Sequence, residues 1–211
     1  MNLRNNKVIN DFGNEWEAYN QNNLSSKELN ELFKNYFDIF PFHLLNKNSV
    51  GFDMGCGSGR WARLIAPRVK QLNCIEPSIK AISEAKKNLS KNKNCKFLNC
   101  DVLDNSLKDG SQDFGYCLGV LHHIADTQQG LTKSVDKLKK GSPFLLYLYY
   151  RFDNKPLWFK LIWKISDLFR KLISRMPFRL KIIITKVIAV LVYFPLAKLS
   201  FFLKFDGFRI Y

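Results

Sequence analysis

Val50-Gly51-Phe52-Asp53-Met54-Gly55-Cys56-Gly57-Ser58-Gly59-Arg60-Trp61-Ala62 reads as a buried strand running into a glycine loop and then a helix. Three alternating glycines after an acidic strand end permit positive φ and remove the Cβ atoms that hold a backbone away from a ligand. The helix that follows offers unpaired N–H donors in its first turn. Such a loop suits a small, partly anionic molecule. A G-x-G-x-x-A match at Gly57, Gly59 and Ala62 is also present and suits a nicotinamide dinucleotide.

Outward from this stretch, short apolar runs alternate with helical segments from Val50 to Tyr150, which predicts right-handed βαβ units and a parallel sheet. Five strands are expected: Val50 to Met54, Leu72 to Glu76, Lys96 to Asn99, Phe114 to Leu118 and Phe144 to Tyr149. The helices between them fall at about Arg60 to Ala66, Ser78 to Ser90 and Thr127 to Leu138, each bounded by Pro, Ser, Asn or Gly. Upstream, Ser25 and Glu28 make a capping-box pair, and Leu29, Leu32, Phe33, Tyr36 and Phe37 recur at helical spacing. A helix from about Ser26 to Phe40 is expected there, with Pro41 as its stop. The fold class is α/β: a Rossmann-like, three-layer arrangement on a parallel sheet. Its core lies at residues 47–150, after an N-terminal helical cap at 1–46 and before a basic, aromatic helical segment at 151–211.

The pattern Asp53-x-Gly55-x-Gly57-x-Gly59 resembles the first motif of the class I S-adenosylmethionine-dependent methyltransferases, type 11-like. The second strand ends in an acid, Glu76. Lys96-Phe97-Leu98-Asn99-Cys100-Asp101-Val102 resembles the family's third motif, and Asp113-Phe114-Gly115-Tyr116-Cys117-Leu118-Gly119-Val120-Leu121-His122-His123-Ile124 resembles its fourth. Glu76 alone does not discriminate, because a dinucleotide enzyme uses an acid there in the same way. Four motifs in the right order do. The resemblance implies S-adenosylmethionine as cofactor, with Asp53, Gly55, Cys56, Gly57, Ser58 and Gly59 around its methionine portion and Glu76 and Pro77 at the ribose. It places Asp101 and Val102 at the adenine, and Leu118 and Gly119 beneath the transferred methyl. Asp11-Phe12-Gly13-Asn14-Glu15-Trp16 further resembles the opening of a subgroup often encoded with cell-surface biosynthesis, whose first element commonly folds over the cofactor and which carries a helical insertion after the fifth strand. Trp16 and Tyr19 are expected to pack the helix rather than line the pocket.

His122 and His123 are the catalytic candidates, because an open α/β sheet places its ligands at the carboxyl ends of strands and imidazole takes protons near neutral pH. On an extended segment neighbouring residues point opposite ways, so at most one of the pair is expected to face the acceptor. In the resembled family the position often serves packing. No metal site is expected, since no acidic or Cys ligand set has suitable spacing nearby.

At 211 residues the chain reads as one domain with a small appended element. Its five cysteines (Cys56, Cys74, Cys95, Cys100, Cys117) form no C-x-x-C pair and behave as small hydrophobes. With no secretion signal at the amino terminus, a cytoplasmic setting is expected. The charge is uneven. Residues 151–211 hold 13 of the 33 Lys and Arg but only Asp153, Asp167 and Asp206 as acids, together with 13 aromatic residues. Leu157, Trp158, Leu161, Ile165, Leu168 and Leu172 fall opposite Lys160, Lys164, Lys171 and Arg175, which predicts an amphipathic helix ended by Pro177. Ile182 to Leu203 is more apolar. Between Lys186 and Lys198 only 11 apolar residues run together, and a bilayer crossing needs about 20, so no span is expected.

Three readings of this tail stand open: a helical insertion that shapes the acceptor site, a peripheral contact with the inner membrane surface, and nucleic-acid binding. The last is disfavoured, because the basic residues lie beside aliphatic stripes and form no recognisable binding motif. The family's closing antiparallel strand pair is not visible, so a truncated chain or a subunit that self-associates or pairs with another chain at its sheet edge is expected. The expected function is methyl transfer to a small-molecule or cell-surface-precursor acceptor. The alternatives are a non-catalytic cofactor-binding or membrane-associated subunit and a nicotinamide-dependent oxidoreductase.

Overall fold

The computed structural model describes residues 3–18, 25–149 and 152–202. The chain divides into two compact units, Met1–Tyr150 and Arg151–Tyr211. In the first unit five parallel strands, β1 (Val50–Met54), β2 (Gln71–Ile75), β3 (Cys95–Leu98), β4 (Phe114–Leu118) and β5 (Phe144–Tyr147), form one sheet in the order β3-β2-β1-β4-β5. The order reverses between β1 and β4, where α/β sheets open a crevice at the carboxyl ends of their strands.

Alternation of side chains across the pleat builds the two cores. Phe114 and Tyr116 of β4 and Leu72 and Cys74 of β2 face one side, under α2 (Ser26–Phe37), α3 (Ala62–Ile65) and α4 (Ile79–Asn88). Phe52, Met54, Ile75 and Cys117 face the other side, toward Leu131 of α5 (Thr127–Val135). The β1/β4 register pairs Gly51 with Phe114 and Phe52 with Gly115. At each pair the phenyl ring occupies the space where the glycine's Cβ would stand, only 2.3 Å from it. Phe37 is the keystone of the first core, 1% exposed and packed against Phe33, Trp61 and Tyr116.

Helix α2 carries the expected capping box: Ser25 Oγ accepts the Glu28 N–H at 3.2 Å and Glu28 Oε2 accepts the Ser25 N–H at 2.9 Å. Several boundaries are shorter than the sequence predicts. The helix after the glycine loop starts at Ala62 and ends at Ile65, because Gly59 to Trp61 are spent in turns and Pro67 lacks the N–H that would extend it. Helix α2 stops at Phe37, and α4 is trimmed at both ends, capped by Ser78. Helix α5 stops at Val135, since Leu138 is drawn into a bridge with Gln112. β5 ends at Tyr147, where its partner β4 ends at Leu118, and β2 and β3 each sit one residue earlier than expected.

Ahead of the sheet, α1 (Leu3–Ala18) packs on α4. Gly13 makes the close approach, with Ser78 Oγ 2.3 Å from where a Cβ would stand, and Lys80 Nζ donates to Asn14 Oδ1 at 2.9 Å. Tyr19 lies outside the described residues.

In the second unit α6 (Leu157–Ser174) is followed by α7 (Phe178–Ile188), a π-helical turn (Ala189–Tyr193) and α8 (Phe194–Phe202). Pro195 cannot donate to the carbonyl of Leu191, and the helix widens just ahead of it rather than breaking. The interruptions at Lys186 and Pro195 therefore do not divide this stretch as the sequence suggests. Arg179–Leu199, 21 residues containing an 18-residue stretch at a mean hydropathy of 2.1, is long and apolar enough to cross a bilayer by length and composition.

Candidate functional site

At the β1/β4 switch point lies a partly open cleft with a cavity volume of about 140 Å³. Gly55, Glu76, Pro77, Asp101, Val102, Leu118 and Gly119 line it from the strand ends. Ile9, Phe12 and Trp16 of α1 close one side, and Val120, His123 and Ile124 another.

The glycine loop is held from below. The N–H groups of Gly55 and Cys56 both donate to the Ile75 carbonyl, at 2.8 and 2.9 Å, so the loop folds over the end of β2. Glu76 then bridges: Oε2 accepts the Gly57 N–H at 3.0 Å and Oε1 accepts the Ser78 N–H at 2.9 Å. Each oxygen keeps a second lone pair for a ligand hydroxyl. Asn99 Nδ2 donates to the carbonyls of Glu76 and Pro77, at 2.9 and 3.0 Å, and Asn88 Nδ2 holds the Ser58 carbonyl at 3.0 Å. Gly57 meets α1. Its φ is +54°, and the indole of Trp16 lies 2.8 Å from where a Cβ would stand.

Of the residues expected around the cofactor, Gly55, Glu76, Pro77, Asp101, Val102, Leu118 and Gly119 reach the cleft wall, whereas Asp53, Cys56, Gly57, Ser58 and Gly59 form the loop and its support behind that wall. Trp16 is a correction: it lines the cleft instead of packing the helix, because α1 docks on α4 and brings the indole over Gly57. Ile9 and Phe12 are cleft residues that the sequence reading did not single out. Their signal is i, i+3, i+7 spacing with Trp16, which marks one helix face.

Asp53 is 3% exposed, and its Oδ2 has no hydrogen-bond partner. The register sets Tyr116 beside it, with its hydroxyl turned to the carboxyl. Burial pushes the Asp53 carboxyl up to about 8; the Tyr116 hydroxyl opposes the rise, the nearby Glu76 charge adds to it, and Arg60 opposes it. Burial also raises Glu76, against the pull of the Ser78 and Gly57 N–H groups. Two buried carboxyls that are short of positive charge sit beside the loop. Asp101 lines the cleft while its Oδ1 accepts the Leu103 N–H at 2.8 Å, so it both shapes its own turn and faces the site.

The histidines occupy a 3₁₀ turn, Leu121–His123, rather than an extended segment. His123 faces the cleft and meets Phe12 edge-on at 4.7 Å. His122 stacks on Tyr149 at 4.1 Å, and neither of its ring nitrogens has a partner. Burial lowers both imidazoles, and His122 lowers His123 further, so both are neutral at pH 7.

Residues 52–146 match the family described as "Methyltransferase domain". Among solved structures, the chain is similar to the YcgJ protein of Bacillus subtilis at 20% identity and a TM-score of 0.51, covering 60% of this chain and 52% of that one. It is also similar to the N-methyltransferase NodS of Bradyrhizobium japonicum, in complex with S-adenosyl-L-homocysteine, at 17% identity and a TM-score of 0.53, covering 67% of this chain and 72% of that one. The chain spans about half the length of the first of these structures. No curated protein matches the sequence. Residues 52–146 thus resemble a methyltransferase domain, and the ligand that this resemblance implies is S-adenosylmethionine. The residues fit such a ligand: an orphaned buried carboxylate oxygen and a second raised carboxyl suit the positive sulfonium and ammonium groups, and the Glu76 lone pairs suit ribose hydroxyls.

Proposed function

We propose that this protein transfers a methyl group from S-adenosylmethionine to a small-molecule or cell-surface-precursor acceptor in the cytoplasm. The observation that carries this reading is the cleft at the β1/β4 switch, walled by Glu76, Pro77, Asp101 and Val102 on one side and Leu118 and Gly119 on the other, with the unpartnered Asp53 oxygen behind it. When bound, the cofactor supplies a methyl already activated on sulfur. Glu76 holds the ribose, Asp101 and the Val102 backbone hold the adenine, and Asp53 with the Gly55 to Gly59 loop surrounds the methionine portion. Leu118 and Gly119 form the floor beneath the methyl. The chain's own work is alignment and exclusion of water, and Ile9, Phe12 and Trp16 supply the apolar cover on the α1 side. His123 faces the acceptor side as a neutral and weak base, so it positions the acceptor more than it deprotonates it.

Incubation with a donor labelled in its methyl group and a small-molecule extract tests this. Label should pass to an extract component with the wild-type chain and not with Glu76→Ala. Saturable donor binding with no transfer to any acceptor supports the non-catalytic subunit instead.

A further inference from the structure

The second unit has a surface that methyl transfer does not use. On α6, at about 100° per residue, Leu157, Trp158, Leu161, Leu168, Phe169 and Leu172 fall in one arc, and each is 59–83% exposed. Lys160, Lys164 and Lys171 lie along one edge of this arc. The aromatic residues outside the apolar arc are used locally: Phe159 and Trp163 pack on Phe152 at 5.1 and 5.9 Å and fix the start of the helix. The apolar arc thus belongs to an ordered helix. Exposed apolar patches of this extent mark interaction surfaces.

The helix beyond it has the same character. None of the Arg179–Leu199 window is buried, and Val190, Leu191, Phe194 and Leu196 are 57–70% exposed. At 1.5 Å per residue its length is about 32 Å, close to the bilayer hydrocarbon thickness of about 30 Å. Arg179, Lys181 and Lys198 lie at its two ends, where long side chains can reach a headgroup layer, and Lys186 is the one cation further in. Residues 151–211 carry 13 Lys and Arg against three Asp. Large aliphatic and aromatic faces bordered by lysine match an anionic lipid surface, which offers phosphate oxygens above a hydrocarbon layer.

We propose that residues 152–202 dock the protein on an anionic lipid bilayer: α6 lies flat at the boundary of headgroups and acyl chains, and the helix from Arg179 to Leu199 sinks into the acyl layer. This goes beyond the methyltransferase reading and holds whether or not methyl transfer is detected.

Flotation of the full chain with phosphatidylcholine vesicles, with and without phosphatidylglycerol, tests it, and S-adenosylmethionine binding by each variant reports that the first unit is folded. The wild-type chain should float with the phosphatidylglycerol vesicles. Leu161→Asp/Leu168→Asp/Leu172→Asp combined with Val190→Asp/Leu191→Asp/Phe194→Asp should stay at the bottom of the gradient with cofactor binding unchanged. Lys160→Gln/Lys164→Gln/Lys171→Gln should lower the affinity for anionic vesicles by about a hundredfold and leave the weaker affinity for pure phosphatidylcholine as it is. The proposal is overturned if the wild-type chain ignores both vesicles, if the aspartate variant floats as the wild type does, or if the chain assembles with itself or with added nucleic acid and is then inert to lipid.

Discussion

The Glu76 carboxylate accepts the backbone N–H of Gly57 at 3.0 Å, so the acid that ends β2 holds the loop that ends β1. Its other oxygen holds the Ser78 N–H at the cap of α4. One side chain therefore fixes two walls of the cleft. Glu76→Ala leaves both donors without their acceptor. Urea unfolding should show a loss of about 1–3 kcal/mol, and cofactor affinity should fall about 10- to 100-fold. Glu76→Gln, which keeps one acceptor oxygen, should lose less of both.

Asp53 makes cofactor binding pH-dependent. Its carboxyl titrates near 8 in the folded chain, and the ionised form is the one that attracts a cationic ligand. Between about pH 5.5 and 7.5, where the ligand's amino group stays charged, affinity should rise by up to about tenfold per pH unit. Calorimetry in two buffers of different ionisation enthalpy should show proton release, and Asp53→Asn should abolish it. The same shift acts on folding with the opposite trend. A carboxyl raised above its unfolded value favours the folded state at low pH, so this contribution is fully present below about 3.8 and is lost as pH rises through about 8.

Gly57→Ala meets two obstacles, a backbone at φ +54° and the Trp16 indole 2.8 Å from the new methyl. The left-handed conformation alone costs about 1–2 kcal/mol. Adding Trp16→Ala should remove the steric part and leave the backbone part, so a double-mutant cycle in thermal unfolding should give a coupling of about 0.5–3 kcal/mol.

His123→Gln should change methyl transfer only a few-fold. Burial and His122 keep the ring neutral across the physiological range, so the pH profile of the wild-type chain should show no inflection near 6.5 that disappears in the variant. A loss of two orders of magnitude would instead give His123 a role in proton transfer.

β1 and β4 are legible to the residue because each is a short buried run closed by its own loop, and the capping box of α2 reads directly from Ser25 and Glu28. The strand-end motifs are equally plain, since their residues come from strand ends that the topology must bring together. The part played by Trp16 was not legible. It depends on α1 docking across α4 through Gly13 and Ser78, a contact 65 residues apart in the chain that no local spacing reports. The state of Asp53 is hidden for a similar reason, as it follows from burial between β2 and β4 in the middle of the sheet. The long helix around Pro195 is not legible either, because a single π turn can absorb a proline that local rules treat as a break.

Every role proposed for the site residues depends on S-adenosylmethionine binding in the cleft at the end of β1. Calorimetric titration of the purified chain with S-adenosylmethionine, S-adenosylhomocysteine and NADH, alongside Glu76→Ala, tests it most directly. Saturable binding of both adenosyl ligands, weakened in the variant and absent for NADH, is the predicted result; binding of NADH in their place, or no binding of either adenosyl ligand by a folded sample, would contradict it.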